Sequence, residues 1–210
     1  MDRENGIDLS RISIYCERKK EYRNGNESED HKKVTRCEFI ITYCFDDGSM
    51  EPAGIVKAYV FNNKLNDPAC MAKQSDYVML GGKVCPEASV GFRHLFKQKE
   101  FPGSRGDSNS AFIYLSEFYI KKKFRRNGIG KFVLQSILDI IEDEMDVSVA
   151  AAFTYIRPYT IVHNLVFNGY VSENKSERTP EEKKMTKVME HLFDESGWTP
   201  VNRSKKYYIT

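Results

Sequence analysis

Residues 111–142 constrain the fold more than any other part of the chain. Residues 111–120 read Ala-Phe-Ile-Tyr-Leu-Ser-Glu-Phe-Tyr-Ile, a β-branched and aromatic run suited to a pleated surface. They lead through Lys-Lys-Lys-Phe-Arg-Arg-Asn-Gly-Ile-Gly at 121–130 into residues 131–142, where Val133, Leu134, Ile137, Leu138 and Ile141 recur at helical spacing. A helix with one apolar stripe must lay it on a sheet or on another helix, so this segment predicts a layered α/β fold.

The junction between strand and helix carries chemistry of its own. A helix N-terminus leaves backbone N–H groups without intrahelical acceptors, and the helix dipole places partial positive charge there. Gly128 and Gly130 remove side-chain bulk, while Arg125, Arg126 and Lys131 add formal charge around the same point. These residues fit an anion site for a phosphate or pyrophosphate. On spacing alone, the two glycines equally fit a tight strand–helix turn surrounded by solvated cations. The loop lacks the G-x-x-x-x-G-K-[ST] spacing, and it has only two of the glycines of a G-x-G-x-x-G dinucleotide turn.

Elsewhere the pattern predicts strands at 12–16, 38–45 and 54–62, with a charged loop over 17–33. Asp46-Asp47-Gly48-Ser49 supplies turn chemistry between the second and third. Residues 66–100 read as one or two helices, the clearer at 87–99, and 101–110 as a loop. A strand is expected at 146–155, an insertion at 156–178 and a closing strand at 205–210. Thr179-Pro180-Glu181-Glu182 is a helix start whose apolar stripe is Met185, Val188, Met189, Leu192 and Phe193, with Gly197 as the stop.

At 210 residues the chain is long enough to bury a core as a single domain, 1–210. Lys and Arg total 32 against 30 Asp and Glu, a formal charge of +2 that argues against a dedicated nucleic-acid binder. No apolar run reaches membrane-spanning length and the first ten residues are polar, so no membrane association is expected. Five widely spaced cysteines without a C-x-x-C pair predict reduced thiols, no metal site and a cytoplasmic location.

Two motifs then resemble a known family. Arg125-x-x-Gly128-x-Gly130, after a strand ending Phe118-Tyr119-Ile120 and before an apolar helix, resembles the acetyl-CoA motif of the Gcn5-related N-acetyltransferases. Far downstream, His191-Leu192-Phe193-Asp194-Glu195-Ser196-Gly197-Trp198 is similar to the family's L-Y-E-K-x-G-F signature at the end of its fourth helix. The likeness covers about residues 111–210, interrupted by the insertion; the N-terminal half carries no motif beyond a compatible hairpin.

The resemblance implies the acyl-CoA N-acyltransferase fold, a mixed, mostly antiparallel central sheet with flanking helices and a splayed parallel strand pair. It implies acetyl transfer from acetyl-CoA, as co-substrate, to a primary amine by direct attack. The cofactor would lie against Phe118, Tyr119, Ile120, Arg125, Arg126, Asn127, Gly128, Ile129, Gly130, Lys131 and Phe193. The Ile120 N–H would polarise the thioester carbonyl as a one-donor oxyanion hole. The amine also needs a base, because an ammonium is not nucleophilic. Glu117 is the acid inside the apolar strand, where Leu115, Phe118 and Tyr119 are expected to desolvate it, and His163 is the alternative.

The chain departs from the family pattern at Phe193, where a tyrosine often protonates the leaving thiolate. That role would pass to water, to another tyrosine such as Tyr155, or to no group. An asparagine often found one helical face earlier is replaced by Thr186. Trp198 is expected in the core or as a cleft wall. The acceptor, a small-molecule or protein amine, is not readable, and the resemblance allows a homodimer. Two other readings stand beside this one. A binding module for nucleic acid or an acidic partner would use the basic run 121–126, and a degenerate relative would bind acetyl-CoA without turnover.

Overall fold

The computed structural model describes residues 7–23, 33–62, 79–80, 83–84, 88, 90–91, 110–156, 180–201 and 207–210. Seven strands form one sheet in the order β1-β2-β3-β6-β7-β9-β8: β1 (Ile12–Arg23), β2 (Lys33–Cys44), β3 (Met50–Asn62), β6 (Ser110–Ile120), β7 (Ser148–Tyr155), β8 (Thr199–Pro200) and β9 (Tyr207–Ile209). A separate two-stranded hairpin joins β4 (Met79–Leu80) to β5 (Lys83–Val84). All neighbours in the large sheet run antiparallel except β6 and β7, which are parallel. Helix α1 (Ile129–Met145) is the crossover that this parallel pair requires.

Alternation along the strands divides the core in two. On one face Cys37, Phe39 and Ile41 of β2, Val56, Ala58 and Val60 of β3, and Ala111, Ile113 and Leu115 of β6 pack with Val133, Leu134, Ile137 and Ile141 of α1. Burying an aliphatic side chain of this size contributes about 2 kcal/mol, so the stripe read from the sequence is what fastens α1. On the other face Phe112, Tyr114, Phe153 and Ile209 gather with Ala88. The described helical residues Ala88 and Gly91 fall inside the helix expected at 87–99. A Cβ on Gly91 would come within 2.2 Å of the Phe153 ring, so helix backbone lies directly on β7.

Helix α2 (Pro180–Glu195) begins at the expected proline and stops just before the expected glycine, Gly197. Gly197 has φ +87°, its N–H reaches Asp194 O at 3.3 Å, and the Trp198 N–H reaches Phe193 O at 3.1 Å. This is a Schellman stop, completed by the apolar contact such stops favour: the Trp198 and Phe193 rings meet edge-on at 5.3 Å. The expected stripe needs one correction. Val188 is 53% exposed, whereas Met185, Met189 and Leu192 pack on the core and Phe193 is buried in it.

Two further expectations change. Residues 79–80 and 83–84, inside the stretch read as one or two helices, pair as strands β4 and β5, because the antiparallel ladder overrides a composition rich in Met, Ala and Leu. Residues 17–23 were expected in a loop but continue β1, which pairs with β2 from Ile12↔Tyr43 to Arg23↔Lys33. β1 is the sheet edge, so its second half alternates charge with charge and lacks an apolar signature. The hairpin turn is as expected: Gly48 takes φ +79° and the Asp47 carboxylate accepts from Ser49 N at 2.9 Å. The insertion expected at 156–178, apart from Ile156, lies outside the described residues, as do His163, Cys70 and Cys85. Among the described residues, no helix is long and apolar enough to cross a membrane.

Candidate functional site

The site is built where β6 leaves β7. The parallel pairing runs from Ser110↔Ser148 to Leu115↔Thr154, and there the Thr154 hydroxyl donates to Leu115 O at 2.9 Å. β6 continues to Ile120 with β3 alone as its partner among the described residues. At the same point β6 carries a bulge. Lys57 lies opposite Glu117 and Ala58 opposite Leu115, which leaves Ser116 as the extra residue. Its hydroxyl donates back to Lys57 O at 3.2 Å.

The bulge shifts the alternation by one residue. Before it, Ala111, Ile113 and Leu115 face α1; after it, Phe118 and Ile120 do. Glu117 and Tyr119 therefore stand on the opposite face, on the side of Phe112 and Tyr114. This revises the expected surroundings of Glu117. Leu115 and Phe118 are across the sheet from it, and its carboxylate is paired with Lys57 Nζ at 2.7 Å.

The peptide groups of β6 can be oriented from one bond. Lys121 donates its N–H to Ala53 O at 2.7 Å, which makes those two a hydrogen-bonded pair. Bonded and non-bonded pairs alternate along an antiparallel ladder. Ile120 opposite Gly54 and Phe118 opposite Val56 are then non-bonded pairs, and their N–H and C=O groups point away from β3 into the gap. The strand is held tightly against β3 here, since a Cβ on Gly54 would stand 2.2 Å from Tyr119 O.

The loop that follows folds back on this strand end. Arg125 Nε donates to Ile120 O at 2.7 Å, its guanidinium lies 5.5 Å from the Tyr119 ring centre, and Asn127 Nδ2 donates to Arg125 O at 3.0 Å. Arg126 adopts φ +64° and Gly128 φ +79°. Left-handed backbone is costly for arginine and is held here by the bonds around it. Gly128 is the N-cap of α1 and makes no side-chain capping bond, so the first N–H groups of α1 keep their anion-binding capacity. Gly130 has a packing role as well: a Cβ there would lie 3.2 Å from Leu192 of α2 and 3.7 Å from Phe118.

The charges around the loop are more engaged than the sequence suggests. Lys131 lies 3.7 Å from Glu195 of α2. Glu51 binds both Lys121, at 3.7 Å, and Lys123, and these contacts hold its carboxyl below the usual carboxylate range. Two of the five cations in the run 121–126 thus share one acidic partner, while Lys122 and Arg126 are exposed.

Phe118, Ile120, Arg125, Arg126, Asn127, Gly128, Gly130 and Lys131 follow the end of β6, the loop and the first turn of α1, whereas Tyr119 turns its side chain to the opposite face and Ile129 is buried in the core. Phe193 is not exposed to the gap. It is buried against Trp198 and 5.5 Å from the Tyr208 ring, so the expectation that it lines the cofactor is corrected to a core position. Trp198 is core as well. Tyr155 stacks on Tyr207 at 4.6 Å, and burial pushes the Tyr208 hydroxyl well above the usual phenol range. Lys57 is the site residue that sequence reasoning missed. The signal for it was a lysine inside an apolar strand, but its partner depends on register.

Among the described residues, no group of His, Cys, Asp and Glu is arranged to hold a metal ion. Compared with known proteins, the chain matches no family model, no curated protein and no solved structure.

Proposed function

We propose that the chain is an N-acetyltransferase of the Gcn5-related kind, carrying acetyl from acetyl-CoA to a primary amine. The observation that supports it best is the stretch 116–120 of β6 without a β7 partner among the described residues, with outward-facing peptide groups at Phe118 and Ile120 and Gly130 of the first turn of α1 beside Phe118. An extended arm bearing amides can bond to such alternating groups as a strand would. A pyrophosphate at its far end then meets the free N–H groups of α1 and the exposed Arg126. Parallel pairing that stops partway, next to a bulge, fits the splayed pair of the acyl-CoA N-acyltransferase fold.

Bound there, acetyl-CoA supplies the acetyl group and carries away the sulfur as leaving group. The chain's part is positional and electrostatic. The Ile120 N–H donates to the carbonyl oxygen as charge develops on it; in other enzymes, loss of one such donor costs about 10²–10³ in rate. Glu117, one residue from Phe118, receives the proton of the incoming ammonium. Phe193 has no proton to give and is buried, so the departing sulfur is protonated by water.

The first test is thermal unfolding with acetyl-CoA, with ATP as control. At a hundredfold excess over Kd, ligand linkage adds about 2.7 kcal/mol. For a chain of this length, that is a rise of roughly 5–10 °C. Binding followed by thiol release in an amine screen, and loss of release in Glu117→Gln, is the expected result. Equal shifts with ATP would reduce the loop to a general anion site. Binding with no release from any amine would favour the degenerate-relative reading, which the burial of Phe193 also suits.

A further inference from the structure

The face of the sheet opposite α1 carries a row of charges set by strand register. Arg18 of β1 lies opposite Glu38 of β2, Glu38 opposite Lys57 of β3, and Lys57 opposite Glu117 of β6. Alternating sign across four strands is favourable for every neighbouring pair. Glu38, however, is taken by its own strand neighbour, with Arg36 Nη2 at 2.6 Å from its carboxylate. That leaves Lys57 to Glu117, at 2.7 Å.

We propose that Lys57 is a self-acetylation site. This rests on the acetyl-transfer reading above. Its amine is in contact with Glu117, the group assigned as base, and Glu117 is itself next in sequence to the gap-facing Phe118. The side chain is 21% exposed, against 57% for Lys123, so it is the more sheltered of the two and is held on Glu117. Holding the nucleophile in place replaces a bimolecular encounter by a step within one molecule.

The step balances simply. The Lys57 ammonium gives one proton to Glu117, and the freed Nζ attacks the thioester carbon of acetyl-CoA. The N–C bond forms and the C–S bond breaks, and the second proton on Nζ passes through water to the CoA thiolate, so that CoA leaves as the thiol. The product amide is neutral, so Glu117 loses its ionic partner and is open to the ammonium of an external acceptor.

The experiment incubates the full chain with acetyl-CoA at several protein concentrations and maps acetylated lysines by peptide mass spectrometry. Acetyl-CoA stabilisation against heat is measured in parallel. The expected result is that Lys57 is labelled ahead of the exposed Lys122 and Lys184, at a rate per molecule independent of protein concentration. In Glu117→Gln, labelling of Lys57 should fall to the level of the exposed lysines. If acetyl-CoA binds but labelling follows exposure, or rises with protein concentration, self-acetylation within the molecule is wrong and the cofactor reading stands. If acetyl-CoA neither stabilises nor labels the chain, both are overturned.

Discussion

Replacing Gly54 by alanine tests the geometry on which the site depends. Gly54 has no unusual φ, so alanine meets no backbone strain of its own; the cost is steric. The new Cβ would lie 2.2 Å from Tyr119 O and 2.9 Å from Ile120 Cδ1. A carbon and a carbonyl oxygen need more than 3 Å, so β3 and β6 must separate by about 1 Å at this point. Overpacking against side chains alone costs about 1–3 kcal/mol. Here the obstacle is backbone, and the Lys121-to-Ala53 bond next to it is stretched, which adds about 1 kcal/mol. The sum is about 3 kcal/mol, or a fall in Tm of roughly 6–12 °C, read by calorimetry or urea unfolding. Because the displaced peptide groups belong to the strand lining the gap, stabilisation by acetyl-CoA should also shrink. A Gly54→Ala protein within about 0.5 kcal/mol of the parent, the ordinary range for neutral surface changes, would refute the close approach of β3 and β6.

Other consequences follow from single residues. Phe193→Tyr places a hydroxyl among Trp198, Tyr208 and the sheet; left unpaired, it should lower stability by about 1–3 kcal/mol without raising thiol release, as calorimetry and a release assay would read. Glu51 has its carboxyl lowered from 4.5 by Lys123 and Lys121, so its contribution to stability is present above the ordinary carboxylate range and is lost as pH falls below it. Tm measured from pH 7 down to pH 3 should therefore fall less steeply in Glu51→Gln than in the parent. Burial pushes the Cys37 thiol up to about 12, so alkylation of the native protein at pH 8 should spare Cys37, and alkylation in denaturant should not.

The elements near the loop were legible because each satisfies a local rule. The stripe of α1, the Asp47-Gly48 turn and the Pro180 and Gly197 limits of α2 all follow from nearby residues. The second family-like motif shows the limit of that legibility. Phe193, Gly197 and Trp198 are explained by a Schellman stop with its apolar contact, which any amphipathic helix ending on a sheet can use. What was not legible depends on register. The bulge at Ser116 leaves no mark in an apolar run, yet it decides that Phe118, and not Glu117, shares the α1 face with Leu115. The Lys57–Glu117 pair joins residues whose strands meet only in the folded sheet. The outer half of β1 was missed because an edge strand needs no apolar face.

The parting of β6 from β7 also has a consequence for local stability. A central strand of a seven-stranded sheet ordinarily holds its amides through global unfolding, and these are the slowest to exchange with solvent deuterium. Phe118 and Ile120 lie in such a strand but turn their amides into a gap, with no β7 partner among the described residues. They should exchange on the timescale of an exposed edge while Glu117 and Tyr119, bonded to β3, remain protected. A seam of labile amides thus runs through the most stable layer of the molecule, and whatever binds in the gap would slow the exchange of every second residue along one side of β6.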